Sequence, residues 1–188
     1  MEVHNIFSIP LFSTPLRVDN QRILNWCLSE RTKSEGRFCS NNGGWQSNDY
    51  YNYPEETEEL FREIHSASDS AAEFLNIRIS GVSNYWININ DYKSSNHLHC
   101  HPHSMLSGAY YVQVPENSGC INFQHPAEKN MQYDWDGITS EYSPYCNLYS
   151  KTLPKVGTLL IFPSWLYHYV EPNLNQSENR ISISFNIG

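Results

Sequence analysis

The chain has 188 residues, 39% apolar and 17% charged, with 20 acidic against 12 basic side chains. This length predicts a single domain, residues 1–188, whose core needs no disulfide staple. No apolar run exceeds four residues (Leu159 to Phe162 is typical), which excludes a membrane-spanning helix, and a formal charge of −8 disfavours nucleic acid as a partner.

The start, Met1-Glu2-Val3-His4-Asn5, carries neither a basic stretch nor an apolar core, so no signal peptide is expected. Cysteines 27, 39, 100, 120 and 146 are odd in number and form no CxxC pair, which predicts reduced thiols in a cytoplasm.

Helical periodicity is confined to the first 76 residues. Asp19 is placed to cap a helix through about Lys33, with Ile23, Trp26 and Cys27 marking its turns. A second helix is predicted from Pro54, at its first position, to about Leu75. Glu55, Glu56, Glu58 and Glu59 suit its N-terminal dipole, and Leu60, Ile64, Ala67, Ala71 and Phe74 form one apolar stripe. Residues 36–49 between the two, rich in Gly, Asn and Ser, read as a long ordered loop.

From Gly81 onward the helical period is lost. Asn and Ser supply 43 residues of the chain and Tyr 13, a composition of short strands and turns. Strands are predicted at 82–90, 95–103, 106–114, 119–124, 144–151, 157–162, 166–171 and 180–187. Two helices followed by about eight strands predict a helix-covered barrel or double-sheet jelly roll, with the helices in residues 1–80 and a β core over residues 81–188.

The informative stretch is Asn96-His97-Leu98-His99-Cys100-His101-Pro102-His103, with histidine at every second position. In an extended strand such side chains share a face, and a bound metal would relieve the repulsion between neighbouring imidazoles. A polar, solvent-facing strand is the plainer alternative. A third ligand must come from elsewhere, and His168 is the best placed, returned by a strand, a Pro163-Ser164 turn and a second strand. His4, His65 and His125 lack such a setting. In the last strand, Ile181, Ile183, Phe185 and Ile187 face a core beneath the helices, and Arg180, Ser182, Ser184 and Asn186 face the other way. Inside a barrel Arg180 would require a carboxylate partner, for an unpaired buried charge is costly.

His99-Cys100-His101-Pro102, Leu106-Ser-Gly-Ala-Tyr-Tyr-Val-Gln113, Gly157-x4-Phe162-Pro163-Ser164-x3-His168 and Arg180-Ile-Ser-Ile-Ser-Phe-Asn186 together resemble the 2-oxoglutarate/Fe(II) oxygenase family of bacteria and tailed phages. Gly43-Gly-Trp-Gln-Ser47 is similar to a further family element. The resemblance implies a mainly β, double-stranded β-helix with two N-terminal helices on one sheet, and Fe(II) and 2-oxoglutarate as cofactor and cosubstrate. It implies hydroxylation of a peptide side chain or small metabolite, with dioxygen consumed and succinate and CO2 as co-products. His99, His101 and His168 become the iron ligands and catalytic residues, with His101 and His103 the alternative pair. Residue 101 stands where the wider superfamily carries Asp or Glu, so three neutral ligands leave the site one unit more positive. Arg180, Ser182 and Tyr111 (or Tyr110, since only one faces inward) would hold the distal carboxylate. Trp45, Gln46, Asn88 and Trp165 are the candidate substrate residues, with Trp86 sharing the face of Asn88; either Trp45 or Trp165 could instead be a core aromatic.

Two other functions fit some of the pattern. A cupin-like three-histidine metalloenzyme would not use 2-oxoglutarate and would leave Arg180 without a role. A non-enzymatic jelly-roll binding module would hold a structural metal or none, and a closed site with His97 or His103 as a fourth ligand would support it.

Overall fold

Asp19 opens the first helix as its sequence predicts: its carboxylate accepts a hydrogen bond from the Arg22 backbone N–H at 3.1 Å. In the computed structural model, which describes residues 1–130, 143, 145 and 147–188, helix α1 runs Asn20–Arg31 and buries Ile23, Trp26 and Cys27. Helix α2 runs Glu58–Leu75, starting four residues later than expected. Pro54 lies in a preceding turn whose carbonyl accepts from Thr57 N–H at 2.8 Å, so Glu55 and Glu56 stand ahead of the helix. Leu60, Ile64 and Ala71 are buried as the stripe requires, but Phe74 is exposed, its ring meeting Phe12 edge-on at 5.5 Å. Phe61 is buried in its place.

Among the described residues, eleven strands form two antiparallel sheets. The first has the order β1 (Phe12–Pro15), β9 (Thr158–Pro163), β6 (Leu106–Gln113), β11 (Arg180–Ile187), β4 (Val82–Asn90), β3 (Trp45–Gln46). The second has the order β2 (Asn41–Asn42), β5 (Ser95–His99), β10 (His168–Val170), β7 (Ile121–Gln124), β8 (Tyr149–Thr152). Residues 144 and 146 of the expected 144–151 strand lie outside the described residues. Taken from β4 to β11, the strands alternate between sheets except that β7 and β8 pair with each other in one sheet. Strands β4, β11, β6 and β9 face β5, β10, β7 and β8, which is a double-stranded β-helix.

The strict alternation of β11 explains how the layers divide. Ile181, Ile183, Phe185 and Ile187 are fully buried against α1 and α2, in one cluster with Leu60, Phe61, Ile64 and Tyr85. Each such aliphatic side chain contributes about 1.5–3 kcal/mol of transfer free energy. A smaller cluster, Tyr111, Ile121, Phe123, Leu160, Phe162 and Leu166, fills the space between the sheets.

The 36–49 segment is not a plain loop. Asn41–Asn42 adds an edge strand to β5, and Trp45–Gln46 adds one to β4. Gly43 and Gly44, at φ 72° and 67°, carry the chain from one sheet to the other. A Cβ at Gly44 would come 2.5 Å from the Ile89 carbonyl, so the crossing needs a residue without one. A two-pronged Arg37–Asp49 ion pair, at 3.0 and 2.5 Å, ties its ends together. Among the described residues, Cys27, Cys39, Cys100 and Cys120 are free thiols, and no helix is long and apolar enough to cross a membrane.

Candidate metal and cosubstrate site

Register brings the histidines together. His168, the first residue of β10, pairs with His99, the last of β5, so their side chains share the inner face. The strand expected to run to residue 103 stops at His99. His101 follows in extended chain held by its N–H to the Ser164 carbonyl at 2.8 Å, and His103 turns away at φ 71°. His97 and His103 are exposed, so the four alternating histidines do not converge and the His101–His103 pairing fails. Among the described residues, the group with ligand geometry is His99, His101 and His168, each offering an atom within 4.8 Å of the others.

The hydrogen bonds around these rings specify which nitrogen faces the centre. Nδ1 of His99 lies 2.6 Å from the His97 carbonyl, and Nδ1 of His168 lies 2.9 Å from the Leu166 carbonyl. Nδ1 of His101 lies 2.9 Å from Oδ1 of Asn186. An oxygen acceptor requires Nδ1 to carry the proton, so all three Nε2 lone pairs are left to point inward. Nε2 of His101 then faces Nε2 of His168 at 3.3 Å with no proton between them. Two facing lone pairs repel, and a cation between them removes the repulsion. Burial depresses all three basicities: His101 falls to about 4 and His168 to about 3, with mutual repulsion adding to the desolvation. The rings are therefore neutral, as ligands must be. Trp86 stacks on His101 at 5.5 Å and 20°, and Phe162 meets His168 edge-on at 4.8 Å, which keeps this side dry.

Arg180, at the start of β11, is 1% exposed and lines the same cavity together with Tyr111, Ser182, Ser184, Trp86 and Asn88. Among the described residues, the carboxylate partner expected for it is not there. Nη1 instead donates to the backbone carbonyls of Ser118 and Glu171 (3.0 Å to the latter), while Nη2 has no partner among the described residues. Desolvation pulls the guanidinium down to about 10, which leaves it cationic at neutral pH. A buried cation with one nitrogen free fits an external carboxylate. The donor set of the three imidazoles and this orphaned nitrogen thus fit a ferrous ion and a dicarboxylate keto acid.

The two tyrosines separate as strand alternation demands. Tyr111 faces the cavity with its phenol kept protonated by burial, and Tyr110 packs under α1 with its hydroxyl donating to Asn20 Oδ1 at 2.9 Å. Asn88 lines the cavity and donates to Ser184 Oγ at 3.0 Å, leaving its Oδ1 without a partner among the described residues. Gln46 pairs with Asn88 across β3 and β4, shares its face, and also leaves Oε1 buried and, among the described residues, unpartnered. Trp45 faces the other way. It is buried in the helix-side core, its indole donating to the Ser34 carbonyl at 3.0 Å, and is not a wall of the site. Trp165 is half exposed and outside the cavity lining. Sequence reasoning missed Asn186 as a partner of His101, and Ser40 and Asn96, which line the cavity by way of β2 and β5. Asn186 was legible only as a polar-face position of β11. His65 bonds Tyr53 and His125 accepts from Ala127 N–H, both structural roles, and His4 lies beside Glu2 near the start of the chain.

This architecture and site define a class, the double-stranded β-helix metalloproteins with a buried basic anchor. Residues 84–186 match the family described as "Putative 2OG-Fe(II) oxygenase", more than half of the chain, and the protein belongs to that family. It is accordingly a 2-oxoglutarate/Fe(II)-dependent oxygenase. A comparison with curated proteins finds no match. Among solved structures it is similar to a Pseudomonas putida prolyl-4-hydroxylase, with 10% identity, coverage of 96% of this chain and 92% of that one, and a TM-score of 0.69. A Trichoplax adhaerens prolyl hydroxylase, solved with a hypoxia inducible factor peptide fragment, shares 16% identity over 94% and 82% of the two chains, with a TM-score of 0.63. A collagen prolyl hydroxylase of Paramecium Bursaria Chlorella virus-1, solved with 2OG, shares 15% identity over 94% of each chain, with a TM-score of 0.54. At these identities the likeness is one of fold.

Proposed function

We propose that this oxygenase hydroxylates a C–H bond of an uncharged substrate rich in hydrogen-bond donors, a peptide side chain or a small metabolite. The balanced reaction is R–H + 2-oxoglutarate + O2 → R–OH + succinate + CO2. The observation that carries the reading is the shared cavity: three converging imidazole nitrogens at one place in it and a guanidinium with an unused nitrogen at another. His99, His101 and His168 would hold Fe(II), which supplies the oxidising chemistry when bound. Arg180 would clamp the distal carboxylate of the keto acid, with Ser182 and the protonated Tyr111 hydroxyl adding neutral hydrogen bonds. Trp86, Phe162 and Phe123 pack on the imidazoles and would keep water from a metal held there.

The substrate class is argued from Asn88, which lines the cavity, and from Gln46, its partner on the adjacent strand. Among the described residues, Asn88 Oδ1 and Gln46 Oε1 are buried acceptors without donors, on one face of adjacent strands, and the cavity lining holds no carboxylate. Buried acceptors call for N–H or O–H groups, and nothing in that lining would neutralise a cationic substrate. The helix-side core that joins α1 and α2 to the first sheet supports reading residues 1–188 as one domain, helical over 1–80 and β over 81–188.

The test is succinate formation from Fe(II) and 2-oxoglutarate, in air and without oxygen, by the wild type and His168→Ala. Oxygen-dependent succinate from the wild type alone is expected. Equal turnover by both proteins in air would end the reading.

A further inference from the structure

Replacing a carboxylate ligand by an imidazole creates a requirement that a carboxylate never has. Either carboxylate oxygen can bind a metal, but an imidazole offers a lone pair at Nε2 only when Nδ1 carries the proton. For His99 and His168 the acceptors that enforce this are backbone carbonyls, fixed by the strands themselves. For His101 the acceptor is a side chain, Asn186.

The orientation of that amide is set by a chain of bonds. Asn186 Nδ2 donates to Asn84 Oδ1 at 3.1 Å. The Asn186 oxygen is thereby turned the other way, where it receives Ser107 Oγ and His101 Nδ1, both at 2.9 Å. Ser107 is fully buried, so no water competes at that side. Trp86 stacks on one face of the imidazole.

We propose that Asn186 is the positioning residue of the metal centre: it holds His101 in the Nδ1–H form and aims Nε2 at the point where His99 and His168 converge. This rests on the three-histidine reading above. Asn186 is itself neutral, so it orients the ligand without lowering the positive charge of the site.

Cobalt(II) is a suitable probe, since its visible d–d spectrum reports ligand number and geometry apart from turnover. Asn186→Leu removes the acceptor at similar volume and is expected to weaken Co(II) binding about 10–100-fold, with an altered spectrum. Asn186→Asp restores the acceptor and is expected to return binding to the wild-type level or tighter. Nitrogen NMR of the metal-free wild type should show the His101 proton on Nδ1, a measurement that needs no variant and stands even if Asn186→Leu fails to fold. Wild-type affinity in Asn186→Leu, failure of Asn186→Asp to restore what Asn186→Leu loses, or a His101 proton on Nε2 would each overturn the proposal. His168→Ala separates the two readings. If it binds Co(II) as the wild type does, the three-histidine site falls and Asn186 with it; if it does not and Asn186→Leu does, only the role of Asn186 is lost.

Discussion

Nε2 of His101 and Nε2 of His168 face each other at 3.3 Å, and neither can donate, because each ring's Nδ1 proton is directed to an oxygen. In the metal-free protein this contact sets two lone pairs against each other, and burial opposes the protonation that would bridge them.

The first consequence is acid lability. Burial holds His101 at about 4 and His168 at about 3, below the 6.5 of an exposed imidazole. Between those limits the unfolded chain binds more protons than the folded one, so stability is complete above pH 6.5 and falls as the pH drops toward the folded values. Each unit of depression is worth about 1.4 kcal/mol. Melting of the metal-free protein should be flat from pH 8 to 7 and decline from 6.5 to 5, a range above the titration of ordinary carboxylates. Equal melting temperatures at pH 7 and 5 would refute the buried neutral rings.

Arg180 is expected to control cosubstrate affinity. Arg180→Lys keeps a positive charge but cannot both satisfy the Ser118 and Glu171 carbonyls and present a second nitrogen to a carboxylate. Anaerobic titration with 2-oxoglutarate should show binding weakened at least ~10-fold in Arg180→Lys and ~100-fold in Arg180→Ala, about 1.4 and 2.7 kcal/mol. Unchanged binding in both would remove the anchor from the site.

Trp45 should behave as a core residue. Trp45→Ala leaves a void in the helix-side cluster and strands the Ser34 carbonyl, costing about 3–5 kcal/mol in urea unfolding. Under conditions where the variant is folded, its affinity for 2-oxoglutarate should equal that of the wild type. Full stability with altered affinity would return Trp45 to the substrate mouth.

Gly108 on β6 tolerates no side chain. A Cβ there would collide with the Phe185 ring and the Leu160 carbonyl, on two different strands. Gly108→Ala is expected to cost at least ~2 kcal/mol, measured by chemical denaturation. A neutral substitution would show that the sheet has slack at its centre.

Much of the fold was legible because the long strands carry strong period-two signals. Residues 82–90 match β4 end to end, and β11 declares both its core face and its cavity face in sequence. The short edge strands were not legible: Phe12–Pro15, Asn41–Asn42 and Trp45–Gln46 have too few residues to show a period, and their neighbours β9, β5 and β4 induce them. Pro54 suited a helix start, yet the turn closed by its own carbonyl displaced that start to Glu58. Phe74 continued a helical stripe past the end of the core, so it is exposed.

The amino-acid sequence alone determined the ligand types, the His99–x–His101 spacing, the distant His168 and the cation at residue 180, because these are properties of composition and local order. Which histidines converge was decided only in three dimensions. The strand ended at His99, pairing set His99 against His168, and the turn at His103 removed the fourth ring. The same holds for Arg180, whose free nitrogen depends on the two carbonyls that happen to surround it, and for Asn186, whose role exists only where β11 passes His101. Spacing along a chain fixes what side chains can do, and packing fixes which of them meet.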